Sequence, residues 1–140
     1  MKLSKNIKSK TGLWGILPKI ITTQTAQCIY PYIFLPEDIY KDLISPDPKP
    51  RSIALLLHEK VHFVRQKRLG IFRWAFLYMV NSEFRFQEEL LAYKEQMHYL
   101  QKSNLCLDLE TRAKRLSSWL YLWCVSYERA LAELQSLKSV

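Results

Sequence analysis

Residues 53–69 have a helical pattern that is apolar on nearly every side. The apolar side chains occupy several faces of the predicted helix: Ile53, Leu55, Leu56, Leu57, Val61, Phe63 and Val64. A helix with apolar residues all round is normally buried. Two histidines and a glutamate, His58, His62 and Glu59, lie in the middle of this segment, where desolvation is costly unless a partner satisfies them. The segment therefore predicts a largely buried helix that contains a polar site.

The two histidines and the glutamate belong to an HExxH motif, His58-Glu59-Lys60-Val61-His62. Four residues apart on a helix, the imidazoles of His58 and His62 are only about 40° apart around the axis, so both can reach one zinc ion. Glu59 lies about 100° from His58 and can act as a general base on a water molecule at that ion. The alternative is a chance match on an ordinary helix, with both histidines bonded to backbone or carboxylate groups.

A catalytic zinc ion usually has three protein ligands and an open fourth position, so the motif needs one more ligand. The metzincin pattern does not supply it, because Arg65 and Arg68 stand where that pattern has glycine and the third histidine. The third ligand is therefore expected from another part of the chain.

Glu89, on a later predicted helix, is the best third ligand. It belongs to a polar stripe within an arc of about 80°: Arg85, Glu89, Tyr93 and Gln96. Such a stripe on a largely apolar helix indicates a site if it faces inward, and the alternative is a solvated helix face. Glu88 is predicted to lie on a solvated edge. His98 lies about 180° from Glu89, so it is expected to be a surface or packing residue.

The chain resembles the minimal gluzincin-like HExxH metallopeptidases of bacteria and phages over residues 20–96. The resemblance rests on Ile33-Phe34-Leu35-Pro36, Leu56-Leu57-His58-Glu59-Lys60-Val61-His62 with Gln66, Gly70, the aromatic segment 72–78, and Glu89-Leu90-Leu91-Ala92-Tyr93. Similar proteins often read Glu-x-Glu-Ala-Tyr in the last segment, where this chain has Leu91 in place of the second glutamate. The resemblance implies a zincin fold and zinc peptidase chemistry.

The expected mechanism uses His58, His62 and Glu89 to hold Zn²⁺, which lowers the pKa of a water molecule. Glu59 takes the proton from that water and later passes it to the leaving amine. The substrate is expected to be a peptide or protein, whose strand can add to the edge of the N-terminal sheet. The candidates for stabilising the oxyanion are Tyr78, Arg85 and Tyr93, and each of them is alternatively a packing or helix-face residue.

Two other classes of protein stay open. One is a basic nucleic-acid-associated protein with a structural zinc ion, because the net charge is +8. Its basic residues are dispersed, which favours a solvated basic surface instead. The other is an inactive zincin scaffold that binds a partner through a C-terminal stripe: Trp119, Leu120, Trp123, Val125 and Tyr127. Core packing is the alternative explanation of that stripe.

The length of 140 residues fits a single zincin-like domain, residues 1–140, with residues 1–12 flexible. Its three cysteines form no CxxC pair, which favours a reducing, cytoplasmic setting without a disulfide framework. No apolar run is long enough to predict a membrane span.

The expected fold class is α+β, zincin-like and mostly helical, with a small N-terminal sheet or hairpin in residues 20–35. A helical turn is predicted at residues 37–43, a proline-rich loop at 45–50, and a long helix at 53–69 between a Ser52 cap and Gly70. A second helix starts at residue 71 or 72, and a third follows a Ser82 cap to about residue 100. The last helix is predicted over residues 109–137, with Asp108 as its cap.

Overall fold

The computed structural model describes residues 2–11 and 25–139. Within these ranges the fold is α+β and mostly helical, with six α-helices and a three-stranded sheet, as predicted. The zincin-like character of the fold stays a prediction. The chain forms two compact units, Met1–Ile71 and Phe72–Val140. The single domain inferred from the length stays a prediction. Among the helices described, none has both the length and the apolar character needed to cross a bilayer.

The sheet of the first unit has the order β1-β3-β2. Strand β1 is Ile7–Ser9, β2 is Gln27–Ile29 and β3 is Tyr32–Leu35. The central strand β3 pairs in parallel with β1 and antiparallel with β2. Alternate residues of β3 point into a core made of Ile7, Ile33, Leu35, Leu43 and Leu56. The sheet therefore packs its apolar face on the helices that follow it.

The predicted hairpin is present as β2 and β3, which are joined through Tyr30 and Pro31. The part of that prediction at residues 20–24 lies outside the described residues. Strand β1 falls within the segment predicted to be flexible; its Ile7 is buried, and β1 pairs with β3. The lysine-rich composition of this segment gave no indication that Ile7 is buried in the core and that Leu3 packs against it.

The first two helices are α1, Glu37–Ile44, and α2, Pro50–Leu69. Helix α2 starts three residues earlier than predicted, and Ser52 is not its cap. Pro50 occupies the first turn, where the missing N–H costs nothing, and the Lys49 N–H donates to Asp42 Oδ2 at 2.9 Å. The Ser52 side chain is buried and bonds to the same carboxylate. Gly70 ends α2 with φ of 84°, as predicted.

Gln66 joins α2 to the edge of the sheet. It follows His62 by one helical turn, and its side chain is only 1% exposed. Its Nε2 donates to the carbonyl oxygen of Cys28 at 2.9 Å, and its Oε1 accepts from the Tyr30 N–H at 2.8 Å. One amide thus satisfies two backbone groups at the outer edge of β2 and closes this part of the edge to an added strand.

Gln66→Leu is expected to lower the free energy of unfolding by about 2 to 5 kcal/mol, because it leaves two buried backbone groups without their partner. Urea denaturation measures the change. The matched control is Gln87→Leu, which removes an exposed glutamine that bonds to Glu83. The control should change stability by less than about 0.5 kcal/mol. Equal losses in the two variants would show that Gln66 does not tie the helix to the strand.

The second unit contains most of α3, Ile71–Val80, and all of α4, Ser82–Lys102. The break between these two helices falls where the sequence predicts it, but the predicted cap of α4 is wrong by one residue. The Asn81 side chain accepts from the Phe84 N–H at 2.9 Å, so Asn81 caps α4 and Ser82 is its first residue. Asparagine is among the best residues at this position.

The single helix predicted for residues 109–137 is wrong in its middle. The structure has α5 at Leu109–Leu116, a 3-10 turn at Trp119–Tyr121, α6 at Tyr127–Ser136 and a final 3-10 turn at Leu137–Ser139. Asp108 caps α5 as predicted, since its side chain accepts from the Thr111 N–H at 3.1 Å. The helix is interrupted because Ser118 and Ser126 cap new turns, and because Leu122 has a left-handed backbone.

Candidate metal centre

His58 and His62 lie on one face of α2, as the helical spacing predicts. Both are buried, their ring centroids are 5.2 Å apart, and the ring planes are inclined by 71°. The third residue of this face is Gln66, whose bonds to β2 hold α2 against the sheet. The position of the two imidazoles therefore depends on a helix that is anchored at its C-terminal half.

Glu59 is also buried, and its charge acts on two residues of the sheet region. Burial lowers the pKa of Lys10 to about 8, and the negative charge of Glu59 opposes that shift. Burial raises the pKa of the Cys28 thiol, and Glu59 adds to that increase. Glu59 is therefore close enough to Lys10 and Cys28 for its charge to affect both pKa values.

Lys10 is a site neighbour that the sequence reasoning missed. It directly follows β1, its N–H donates to the carbonyl oxygen of Leu35 at 2.8 Å, and its side chain is buried. Its ammonium group donates to the carbonyl oxygen of Thr25. A buried lysine close to a buried carboxylate supplies compensating charge. No local pattern distinguishes it from the other lysines of the N-terminal segment.

Glu89 lies on α4 and is buried. The Tyr78 hydroxyl donates to Glu89 Oε1 at 2.6 Å. The Tyr78 ring stacks on Trp74, with 4.5 Å between centroids and 20° between planes. A hydrogen bond from a stacked tyrosine restricts the orientation of the carboxylate, as partners of metal ligands commonly do.

The three predicted ligands come together. The ligand atoms of His58, His62 and Glu89 lie within 4.8 Å of one another, and all three residues are buried. Zinc ligands of this kind stand about 2.0 to 2.2 Å from the ion, so a spacing of this size is close to the one that a shared ion requires. The donor set of two imidazoles and one carboxylate fits a metal ion and leaves room for a further ligand.

The expectation for Glu88 is wrong. It was placed on a solvated edge, whereas its side chain is only 1% exposed and its Oε2 accepts from Trp74 Nε1 at 2.9 Å. The helical wheel underestimated its burial because it did not include the indole of α3. Adjacent carboxylates therefore have different neighbours: Glu88 bonds to the indole of Trp74, and Glu89 bonds to the hydroxyl of Tyr78 and belongs to the ligand group.

The rest of the polar stripe is buried, so the alternative of a solvated face is wrong. Arg85 bonds to main-chain carbonyl oxygens, those of Tyr78, of Met79 at 3.2 Å and of Tyr121 at 2.9 Å. Burial raises the pKa of Tyr93 to about 12, and the charge of Glu89 acts in the same direction. Both residues have identifiable structural contacts, and their suggested roles at an oxyanion stay predictions. His98 is exposed, in line with the surface role predicted for it.

Comparison of the chain with protein-family models, with curated proteins and with solved structures finds no match. The resemblance to gluzincin-like peptidases therefore stays a prediction. What supports a function is the set of buried residues and their geometry.

Glu89→Ala is expected to weaken zinc binding by about tenfold or more, since it removes a ligand of the group. Tyr78→Phe should have a smaller effect in the same direction, because it removes only the hydrogen bond to Glu89. Competition with a zinc chelator measures both affinities. Glu88→Gln is the matched control at the residue before Glu89. It keeps the shape of the Glu88 side chain and should leave the zinc affinity nearly unchanged. A larger effect at Glu88 than at Glu89 would reassign the third ligand.

Proposed function

We propose that this protein is a zinc-dependent hydrolase of the zincin type that acts on peptide or protein substrates. The observation that supports this proposal best is the buried group of His58, His62 and Glu89, with Glu59 adjacent to the first ligand. Burial of two imidazoles and a carboxylate is costly unless they have partners, and a shared cation provides one.

In this proposal His58, His62 and Glu89 hold the ion. When bound, zinc supplies a Lewis acid that polarises a carbonyl group and lowers the pKa of a water molecule. Glu59 accepts a proton from the attacking water and delivers it to the leaving amine. Tyr78 keeps the Glu89 carboxylate oriented through its hydrogen bond.

The donor set alone is compatible with more than one metal. Two histidines and one carboxylate also bind non-haem Fe(II) in oxygenases. Glu59 favours a hydrolase, because a buried carboxylate next to His58 in the chain can supply the general base that hydrolysis of an amide needs. The HExxH spacing on a single helix favours the same conclusion.

The test starts with the protein purified from cells grown with added zinc. Elemental analysis should find about one zinc per chain, and the protein should cleave unfolded casein. A chelator such as phenanthroline should abolish cleavage, and added Zn²⁺ should restore it. Absence of metal would refute the zinc site. Bound zinc without cleavage of casein or of a broad peptide library would refute the hydrolase and favour an inactive scaffold.

A further inference from the structure

Helix α3 presents an apolar stripe to solvent. Its exposed members are spaced by four, three and one residues, and Phe72 is 90% exposed: Phe72, Phe76, Met79 and Val80. On a helix these positions fall within an arc of about 100°, opposite the buried Trp74. The helix thus buries one aromatic face inside the second unit and leaves another apolar face in water.

A second exposed apolar segment lies between α5 and α6. Trp119, Leu122 and Trp123 are exposed, the last of them by 70%, whereas the next two residues, Cys124 and Val125, are buried. Leu122 and Trp123 have φ angles of 54° and 48°, a left-handed conformation that is unfavourable for large side chains. Such strain is often associated with function. Core packing, the alternative explanation of the C-terminal stripe, therefore holds for Val125 and fails for the two tryptophans.

Arg85 joins the two segments. Its guanidinium bonds to the carbonyl oxygens of Tyr78 and Met79 at the end of α3, and to that of Tyr121 beside the exposed tryptophans. One buried side chain therefore brings the C-terminal end of α3, with Met79 and Val80, close to Tyr121, the residue before Leu122. We call the combined surface the apolar ridge, made of Phe72, Phe76, Met79, Val80, Trp119, Leu122 and Trp123.

The two stretches of sequence that contain the ridge have cations and no carboxylates. Residues 72–82 and 111–127 have no Asp or Glu, and they contain four basic residues: Arg73, Arg112, Lys114 and Arg115. The charges of Arg112 and Arg115 favour a lower pKa of the buried Tyr93. Arg73 and Lys114 are exposed to solvent. Arg73 lies about 20° from Val80 on the α3 wheel, at the border of the stripe.

We propose that the apolar ridge binds the surface of a bilayer that contains anionic lipids. Exposed aromatic and aliphatic side chains insert at the boundary between headgroups and acyl chains, where tryptophan is favoured, and flanking cations contact the anionic headgroups. A second copy of the chain fits less well. A two-fold contact through the same surface would bring Arg73 and Lys114 of each copy together, without carboxylates in these stretches to pair with them.

The experiment is co-sedimentation of the full-length protein with vesicles. Equal parts of phosphatidylcholine and phosphatidylglycerol should bind it, and phosphatidylcholine alone should bind it much less. Added salt should weaken the binding, because the cations contact a charged surface. Phe76→Ser and Trp123→Ser should each lower the partition coefficient by about tenfold or more, since each removes a large apolar group from the interface.

Leu91→Ser is the matched control, because Leu91 is an exposed apolar residue of α4 outside the ridge. It should bind vesicles as the wild type does, and circular dichroism should show all three variants folded. The bilayer proposal is refuted if the wild type does not bind anionic vesicles, or if the ridge variants bind as tightly as Leu91→Ser. A wild-type dimer that ridge variants convert to monomers, without vesicle binding, would identify a second copy as the occupant. Zinc content is measured in parallel and should not change, so the result is independent of the metal site.

Discussion

Glu59→Gln is expected to retain zinc and to lose about 10² to 10⁴-fold of the casein-hydrolysing activity. The reason is that Glu59 is next to His58 in the chain without being part of the ligand group, and an amide cannot accept the proton that a carboxylate accepts. Glutamine keeps the size and shape of the side chain, so the variant separates chemistry from packing. Activity is measured on casein, and zinc by elemental analysis of the same sample.

Two results would contradict the role of Glu59. One is a loss of zinc as large as that of a histidine variant, which would make Glu59 a ligand. The other is full activity with full zinc content, which would assign the general base elsewhere. Lys10→Met is a further variant to compare with Glu59→Gln. It removes the buried cation whose pKa the charge of Glu59 raises, and it leaves Glu59 in place.

Substitution of either motif histidine should abolish zinc binding. His58→Ala and His62→Ala each leave two of three ligands, and a two-ligand site is expected to lose the ion during purification. The thermal midpoint should become independent of added zinc, because a ligand stabilises a fold only if it binds the folded state. Elemental analysis and a thermal scan with and without Zn²⁺ measure the two effects.

His98→Ala is the internal control for these variants. His98 is the third histidine of the chain, it is exposed, and it is absent from the ligand group. It should bind as much zinc as the wild type. Zinc loss in His98→Ala, or zinc retention in both motif variants, would contradict the site. Circular dichroism distinguishes loss of a ligand from loss of the fold, and His62→Gln is a second variant that conserves side-chain bulk.

Local patterns predicted the central helix and its two histidines well. The period of a helix depends on hydrogen bonds between residues four apart, so the common face of His58 and His62 follows from their spacing alone. The end of that helix at Gly70 and the cap at Asp108 are local for the same reason. The polar stripe that contains Glu89 was also visible in the helical period.

The predictions from local patterns were wrong where contacts with residues distant in the chain decide burial, or where caps end a helix. Glu88 appears solvated on a helical wheel, and only the indole of Trp74, on another helix, shows that it is buried. Lys10 looks like one lysine among several until β1 pairs with β3 and its side chain becomes buried. The predicted last helix continued through Leu122 because its apolar period persists, although the serine caps interrupt it.

The sequence by itself determined the α+β class, the helix that contains the HExxH motif, and the identity of the three candidate ligands. These depend on composition and on periodicities that span a few residues. Only the tertiary structure decided that His58, His62 and Glu89 lie within reach of one ion, and that Gln66 ties α2 to strand β2 across 38 positions of the chain. The physical reason is that burial and hydrogen bonding between distant segments depend on how whole elements pack, which no local period encodes.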